Sequence, residues 1–284
     1  MKPDSELISL ISLMDDTDYI VRDAVRGRLI ERGEDAIEQI ERYWLPEAPV
    51  HKRDSYLDFL EEVKTDIALE RLDKLLESPQ PLLSKGLFLV SKAADTTAEE
   101  IIYNSTLENL TEELNLEISG DKTPVESVKI FNYIFFRRFR FHHTDTQIQS
   151  EESALVDRVL LSRAGNPVSI TLIYFLLSRS AGLPIHPLCF TGGFVPVYLD
   201  NDNKIMFYLN IFKQGSIFLE DTLVQFFEDI GMQYNPESLK VEQERALVTI
   251  YAELLSFIYR NSGNTKIYDR MERITQILGG PRYL

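Results

Sequence analysis

The hydrophobic pattern of the chain changes period twice, and these changes limit the possible folds more than any other feature. Up to Gly182-Leu183-Pro184, apolar residues recur every three or four positions, as they do along one face of an α-helix. From Ile185 to Phe212 the pattern is typical of strands, and after residue 222 it is helical again. The sequence therefore predicts an α+β fold that is predominantly helical, with a small antiparallel sheet followed by C-terminal helices.

Turn signals divide the strand-like window. Gly192-Gly193 separates two predicted strands between Ile185 and Tyr198, and Asn201-Asp202-Asn203 is typical of a hairpin turn. A third strand is predicted over Ile205–Phe212, and a short fourth one over residues 217–219. Short strands joined by tight turns favour antiparallel pairing.

The first 95 residues predict a helical module of their own. An apolar helix, an aspartate-rich turn, a second apolar helix that ends at Gly33 and a third apolar helix follow one another over about 40 residues, which is the period of a HEAT repeat. Four prolines punctuate the helical segments that come next. We therefore expect two domains, a HEAT-like helical module over residues 1–95 and a second domain over residues 96–284.

The charge balance disfavours some classes of partner. The chain has 45 acidic and 30 basic side chains, a net charge of −15, whereas nucleic-acid binding requires a positive surface that displaces phosphate counterions. It contains one cysteine, so no disulfide forms within the chain. The first residues lack a signal peptide's apolar core, and no apolar run approaches the roughly 20 residues of a transmembrane helix. We expect a cytoplasmic protein that binds neither nucleic acid nor membranes.

Four blocks of sequence follow one another between residues 97 and 260, namely Glu152–Leu160, Arg163–Ile170, Gly182-Leu183-Pro184 and Tyr208–Gly215. In this order they resemble the bacterial SirB-type transglutaminase-like family. The acidic helical segment in front of them is also similar to segments in related bacterial proteins. The resemblance implies the fold that transglutaminases share with papain-like proteases.

That fold places a catalytic cysteine at the N-terminus of a buried helix, where it faces a histidine and an aspartate on neighbouring strands. The helix N-terminus and the imidazolium stabilise the thiolate, and the aspartate orients the histidine. The resemblance puts these three positions at Pro167, Gly193 and Asn210. Because proline and glycine carry neither a nucleophile nor a base, we expect no acyl transfer through this triad and favour a protein that is not an enzyme.

The main functional hypothesis is therefore a non-catalytic protein-interaction or scaffold module. Helical repeats build concave binding surfaces, and a protease-like cleft without its chemistry still has the shape to hold an extended peptide. The expected partner is a protein or peptide, with no cofactor and no metal. The residues expected around this vestigial cleft are Asn166, Pro167, Ser169, Gly192, Gly193 and Asn210.

Two alternatives stay open. The first is a hydrolase or acyl transferase with relocated chemistry, in which Cys189 or Ser169 would be the nucleophile. Cys189 lies three residues after His186 on a predicted strand, so the two side chains point to opposite faces, and a buried structural cysteine is the competing interpretation. Ser169 lacks the glycines of a nucleophile elbow. The second alternative is a metabolite-binding sensor that uses the vestigial cleft.

Two polar clusters outside the cleft also have a structural and a functional interpretation. His142-His143-x-Asp145 contains metal-ligand types, but adjacent histidines rarely share a metal, which favours a solvated loop. Arg137, Arg138 and Arg140 form a local basic cluster in an acidic chain. They are either a solvated helix end or a contact for an anion or an acidic partner.

Overall fold

The structure is a computed structural model that describes residues 5–118, 121–144 and 150–280 together with Tyr283. Its residues form two compact units, each built from two stretches of chain. The first contains residues 5–79 and Lys92–Thr97, and the second contains Gln80–Ser91, residues 98–280 and Tyr283. The expected domain boundary between residues 95 and 96 stays a prediction.

The first unit is helical, and local sequence signals place its helix ends. Asp18 caps the second helix, because its side chain accepts a hydrogen bond from the Ile20 N–H. The same helix ends at Gly33, whose φ of +77° suits a residue without a β-carbon. Leu29, Ile37 and Leu60 lie in its apolar core. Over the described residues its α-helices are α1 (Ser5–Ser12), α2 (Tyr19–Arg32), α3 (Glu34–Gln39) and α4 (Val50–Leu76).

The second unit is larger and begins at Gln80, and it includes helix α5 (Leu83–Ala94) as far as Ser91. Thr123 and Glu126 form a reciprocal capping box at the start of α7 (Pro124–Asn132), with Pro124 as its first residue. Its other α-helices are α6 (Glu100–Ile118), α7 (Pro124–Asn132), α8 (Glu151–Ala154), α9 (Val156–Ser162), α10 (Pro167–Ser180), α11 (Leu223–Asp229), α12 (Glu244–Ser262) and α13 (Thr265–Ile277).

Helix α10 lies at the centre of the second unit. It is apolar on every side and contacts helices α6, α9 and α12 as well as the sheet, as expected for a helix enclosed by its neighbours. The sequence predicts this helix over residues 167–181, which agrees with the observed element. Its buried position places its first residues at the wall of the candidate site.

The sheet follows α10 and is antiparallel throughout. Its strands are β3 (Ile185–Phe190), β4 (Gly193–Leu199), β5 (Ile205–Asn210), β6 (Ser216–Phe218) and β7 (Lys240–Val241), in the spatial order β6-β5-β4-β3-β7. The α+β, predominantly helical fold class is therefore confirmed. The two-residue strand β7, which pairs with β3 through Leu188 and Val241, has no counterpart in the prediction.

The segment around residues 140–150, predicted as a loop, contains a short parallel bridge. Strand β1 (His142–His143) pairs with β2 (Ala164–Gly165), which lies immediately before α10. The His142 N–H donates to the Arg163 carbonyl and the Thr144 N–H to the Gly165 carbonyl. Two residues are too few to show a strand period, so sequence patterning does not detect this bridge. Asp145 lies outside the described residues.

A buried hydrogen-bond chain connects three helices of the second unit. The Val156 N–H donates to the Tyr251 hydroxyl at 3.0 Å, and the Tyr251 hydroxyl lies 3.0 Å from the Ser91 hydroxyl. Ser91 in turn donates to the Asp157 carboxylate at 2.5 Å, so Tyr251 donates to Ser91. The Tyr251 side chain is fully buried, and removing its hydroxyl would leave partners without access to water.

We expect the substitution Tyr251→Phe to lower the free energy of unfolding by about 1–3 kcal/mol, because the Val156 N–H would stay buried without an acceptor. Urea denaturation followed by circular dichroism measures the loss. The matched control is Tyr133→Phe, at a residue that is 65% exposed, where a change below about 0.5 kcal/mol is expected. Equal effects of the two substitutions would contradict the buried network.

Candidate functional site

The N-terminus of α10 is fixed by a buried asparagine. Asn166 is the N-cap: its side-chain oxygen accepts the Ser169 N–H at 2.8 Å, and its own N–H donates to the Ser153 carbonyl at 2.7 Å. Pro167 follows as the first helical residue, where its fixed φ fits and its missing N–H has no intrahelical partner to lose. The position expected for a catalytic cysteine is therefore a well-formed helix start without a nucleophile.

A cavity of about 360 Å³ lies in front of this helix start. Pro167, Val168 and Thr171 form one wall, and Gly192 and Gly193 form part of another. The remaining wall is almost entirely apolar and consists of Phe190, Phe194, Val195, Pro196, Leu209, Ile211, Phe212, Phe226, Ile230 and Met232. We call this space the apolar cavity.

The structure brings two of the three expected triad positions, Pro167 and Gly193, into this cavity. Asn210 ends β5 between Leu209 and Ile211, which both line the cavity, but Asn210 is not itself a lining residue. Its side-chain oxygen instead accepts the Lys213 N–H at 3.2 Å and so closes the turn after the strand. The Asn210 side chain therefore stabilises the turn after β5.

The turn between β3 and β4 has little room for side chains. A β-carbon on Gly193 would lie 3.1 Å from the Phe190 ring, and one on Gly192 would lie 2.9 Å from the Met232 methyl group. Gly192 also has a φ of +91°, a backbone conformation that residues other than glycine rarely adopt. The Phe190 ring therefore leaves little room for a histidine side chain at position 193.

The remaining cleft residues of the prediction lie behind the cavity wall. Asn166 and Ser169 are fully buried and do not line the apolar cavity. The Ser169 hydroxyl donates to the Ala154 carbonyl at 2.7 Å, which ties it to the backbone. This environment gives Ser169 neither access to a substrate nor a base that would activate it.

Cys189 is buried as well, with 2% of its surface exposed. It packs against Ala246 and Ile250 of α12. Burial raises the pKa of Cys189 to about 12, and the carboxylates of Glu242 and Glu253 act in the same direction. A nucleophilic cysteine requires the opposite, a lowered pKa and an accessible sulfur.

His143 lies close to the rim of the apolar cavity although it comes from the β1–β2 bridge. Its ring stacks on Phe212, with the ring centroids 5.4 Å apart, and its Nε2 lies 3.3 Å from the Ile211 carbonyl. Burial lowers the pKa of His143. Because Nε2 faces a carbonyl, it is the protonated nitrogen, and Nδ1 is a buried acceptor without a partner among the described residues.

The arginine cluster lies in the segment after α7 and is only partly available to a partner. Arg138 is bound to Glu113 at 2.5 Å and to Glu117 at 2.7 Å, both on α6. Arg137 and Arg140 are exposed. A contact between this cluster and an anion or an acidic partner stays a prediction.

A second cavity, of about 620 Å³, adjoins the first. Val168 and Gly192 line both cavities, so the two spaces meet between the start of α10 and the β3–β4 turn. The second, which we call the neighbouring cavity, has more polar lining from α12 and α13. Its polar lining residues are Glu253, Ser256, Arg260, Tyr268, Glu272 and Thr275.

Two further properties of the described residues bear on function. They hold no group of three or more histidine, cysteine, aspartate or glutamate side chains placed to bind a metal ion. None of the helices in the described part of the chain combines the length and the apolar composition needed to cross a bilayer.

Comparison with known families now assigns the fold. The family model described as "Transglutaminase-like superfamily" matches residues 102–252, just over half of the chain. The chain belongs to the transglutaminase-like superfamily. The matched segment contains α10, the strands β3 to β6 and the start of α12, so the superfamily domain encloses the apolar cavity. The superfamily that the sequence predicts is confirmed.

One curated relative covers a similar share of the chain. F-box only protein 21 from Pongo abelii is 20% identical over 140 residues, which are 49% of this chain and 21% of that protein. The chain thus spans about a fifth of the length of that relative. No solved structure matches the chain significantly.

Sequence reasoning missed much of the wall opposite the transglutaminase-like triad positions. Phe226, Ile230 and Met232 come from α11 and the loop after it, and they reach the cavity only through tertiary packing. His143 was expected in a solvated loop, whereas it is half-buried against Phe212. No short-range sequence pattern places these four residues at a cavity.

We expect the Cys189 thiol to be nearly unreactive in the native protein. With a pKa of about 12, its thiolate fraction at pH 8 is about three orders of magnitude below that of an ordinary thiol, and burial slows the reaction further. Iodoacetamide labelling followed by mass spectrometry measures the rate. The same chain in urea should be labelled at the ordinary rate, and a native rate within tenfold of that control would contradict the buried environment.

Proposed function

We propose that this protein is a non-catalytic peptide-binding module that uses the apolar cavity and its surroundings to hold an extended segment of a partner protein. The observation that carries the proposal is the cavity of about 360 Å³. Two of the positions that the resemblance assigns to the triad, Pro167 and Gly193, line this cavity, and neither residue can perform acyl transfer.

The lining supports binding without chemistry. Pro167 has no nucleophile, and Phe190 lies against the place where a histidine would extend from Gly193. The cavity walls are formed mainly by aromatic and aliphatic side chains, and burying such surface favours association in proportion to the area removed from water. An apolar side chain of a partner therefore fits this space better than a charged one.

The shape favours a peptide. The apolar and neighbouring cavities meet at Val168 and Gly192, so together they form one continuous groove. Edge and turn backbone groups beside a groove commonly bind the main chain of an extended peptide, while pockets accept its side chains. We infer the same division of roles here.

The domain boundaries and the family type are part of the same proposal. We propose that residues 96–284 form the peptide-binding domain, that it is of the SirB type, and that residues 1–95 form a HEAT-like module that binds part of the same partner. The helix order of α1 to α3 and the glycine stop at Gly33 support the HEAT-like assignment. A bacterial, cytoplasmic setting and a scaffold role fit the resemblance and the net charge of −15.

A second candidate is a sensor for a small apolar metabolite. The cavity volume and its lining lie in the range of small-molecule sites, which are mostly apolar cavities of about 300–1,000 Å³. The two proposals differ in the space that the ligand occupies. A metabolite would fill the apolar cavity alone, whereas a peptide would also occupy the neighbouring cavity. Arg260→Ala, in the neighbouring cavity, should weaken a bound peptide and leave a bound metabolite unaffected.

A selection from a random peptide display library tests the proposal. We expect wild-type protein to enrich peptides with a common apolar anchor, and Val168→Arg to reduce their binding at least about tenfold, because it places a cation in an apolar wall. The matched control is Val125→Arg. Both valines follow a proline at the first position of a helix, but Val125 lies outside both cavities and should tolerate arginine.

Selected peptides that bind Val168→Arg as well as wild type would contradict the use of this cavity. So would a selection that enriches no peptide. Cleavage of a selected peptide, or its covalent transfer to an amine, would contradict the non-catalytic assignment and restore an enzyme with relocated chemistry.

A further inference from the structure

The main chain of Tyr283 is bound by the wall between the two cavities. Its N–H donates to the Glu253 carboxylate at 3.1 Å, and its carbonyl accepts the Gly192 N–H at 2.9 Å. Gly192 belongs to the β3–β4 turn and Glu253 to α12. These two groups therefore satisfy both the main-chain donor and the main-chain acceptor of a single residue.

The side chain of Tyr283 has a prepared contact surface. It packs against the buried cluster of Cys189, Ala246 and Ile250, together with Val168 and Phe194. An aromatic ring that is rigid and can keep its hydroxyl in water suits such a half-buried position. Tyr283 is itself half-buried there.

The contacts of Tyr283 coincide with the groove. Val168 and Gly192 line both cavities, Phe194 lines the apolar cavity, and Glu253 lines the neighbouring one. Tyr283 thus lies at the junction of the two spaces. A partner peptide that follows the whole groove has to take this place.

Glu253 is well suited to bind a peptide main chain. Its carboxylate is buried on α12, with 6% of the residue exposed, and a buried carboxylate requires hydrogen-bond donors. A hydrogen bond from a backbone N–H to this carboxylate is charge-assisted and therefore stronger than one between two neutral groups. Any extended peptide offers such an N–H, whatever its sequence.

We propose that Gly192 and Glu253 form a main-chain binding site for one residue of an extended peptide, with an aromatic side chain on the Cys189–Ala246–Ile250 surface, and that Tyr283 occupies this site as an intramolecular ligand. The partner is then a peptide with an aromatic anchor that displaces Tyr283. This inference rests on the proposed function and adds the anchor residue and a built-in competitor.

The competitor has a quantitative consequence. A ligand tethered to its own site acts at a high effective concentration, in the millimolar range for short flexible connections. The apparent affinity of a free peptide is its intrinsic affinity multiplied by the fraction of protein molecules whose site is vacant. Removing the tethered ligand should therefore strengthen binding of a free peptide without changing the groove.

The test uses the full chain with Tyr283→Pro, which removes both the aromatic ring and the N–H donor. The probe is a fluorescein-labelled peptide with the sequence of residues 279–284, measured by fluorescence anisotropy. We expect Tyr283→Pro to bind this peptide at least about tenfold more tightly than wild type. Tyr283→Ala, which keeps the N–H, should give an intermediate affinity, and the exposed-tyrosine control Tyr133→Ala should match wild type.

Two further variants separate the two parts of the site. In the Tyr283→Pro background, Glu253→Gln should weaken the peptide, because a neutral amide is a poorer acceptor than a carboxylate. A probe peptide with alanine at its tyrosine position should lose most of its affinity for Tyr283→Pro. Amide hydrogen exchange at Gly192 should accelerate at least about tenfold in Tyr283→Pro and slow again when the peptide binds.

Equal affinity of wild type and Tyr283→Pro for the probe, absence of binding to both, or unchanged exchange at Gly192 would each overturn the inference. A wild-type dimer that Tyr283→Pro converts to a monomer would overturn the intramolecular part. The experiments distinguish the two proposals. If peptides selected on wild type bind Tyr283→Pro equally and are lost with Val168→Arg, the groove binds peptides and only the role of Tyr283 is wrong.

Discussion

The buried hydrogen bonds at the start of α10 are the interaction on which the arrangement of the cleft depends. Asn166 binds Ser169 through its side chain and Ser153 through its backbone N–H, without exposure to water. A helix start held from both sides cannot shift without leaving these groups buried and unpaired, which is energetically expensive. Pro167 and Val168 are therefore fixed in the cavity wall. The resemblance expects a nucleophile at position 167, and this helix start holds Pro167 there.

Shape and chemistry are thus separable in this fold. The same helix N-terminus that would stabilise a thiolate borders an apolar space, and no ionisable group occupies position 167 or 193. Burial around Cys189 raises the pKa of its thiol to about 12, opposite to the requirement of cysteine catalysis. What these walls can still provide is apolar surface, which binds through the hydrophobic effect and requires no charged intermediate. The apolar cavity and the proline at position 167 are the two observations that support the proposed binding function.

Local signals predicted the parts of the structure that local interactions determine. The proline-capped start of α10, the β3–β4 turn at Gly192-Gly193 and the hairpin before β5 all follow from propensities that act over a few residues. The wall formed by Met232 and the bridge that brings His143 to Phe212 depend on packing between distant segments, so no short window of sequence contains them. Of the six residues expected around the cleft, Pro167, Gly192 and Gly193 line the cavity, and the sequence did not indicate that the cavity is apolar.

Photo-crosslinking from the cavity rim tests the central claim most directly. Phe212 lines the apolar cavity and is 61% exposed, so p-benzoylphenylalanine at this position keeps an aromatic side chain at the rim, and the same group at the exposed position 133 serves as the control. We predict that irradiation in cell lysate couples position 212, but not position 133, to a defined partner segment, and that mass spectrometry finds this segment uncleaved. Equal crosslinking from both positions, or a cleaved or acyl-transferred segment at position 212, would contradict a non-catalytic peptide-binding cleft.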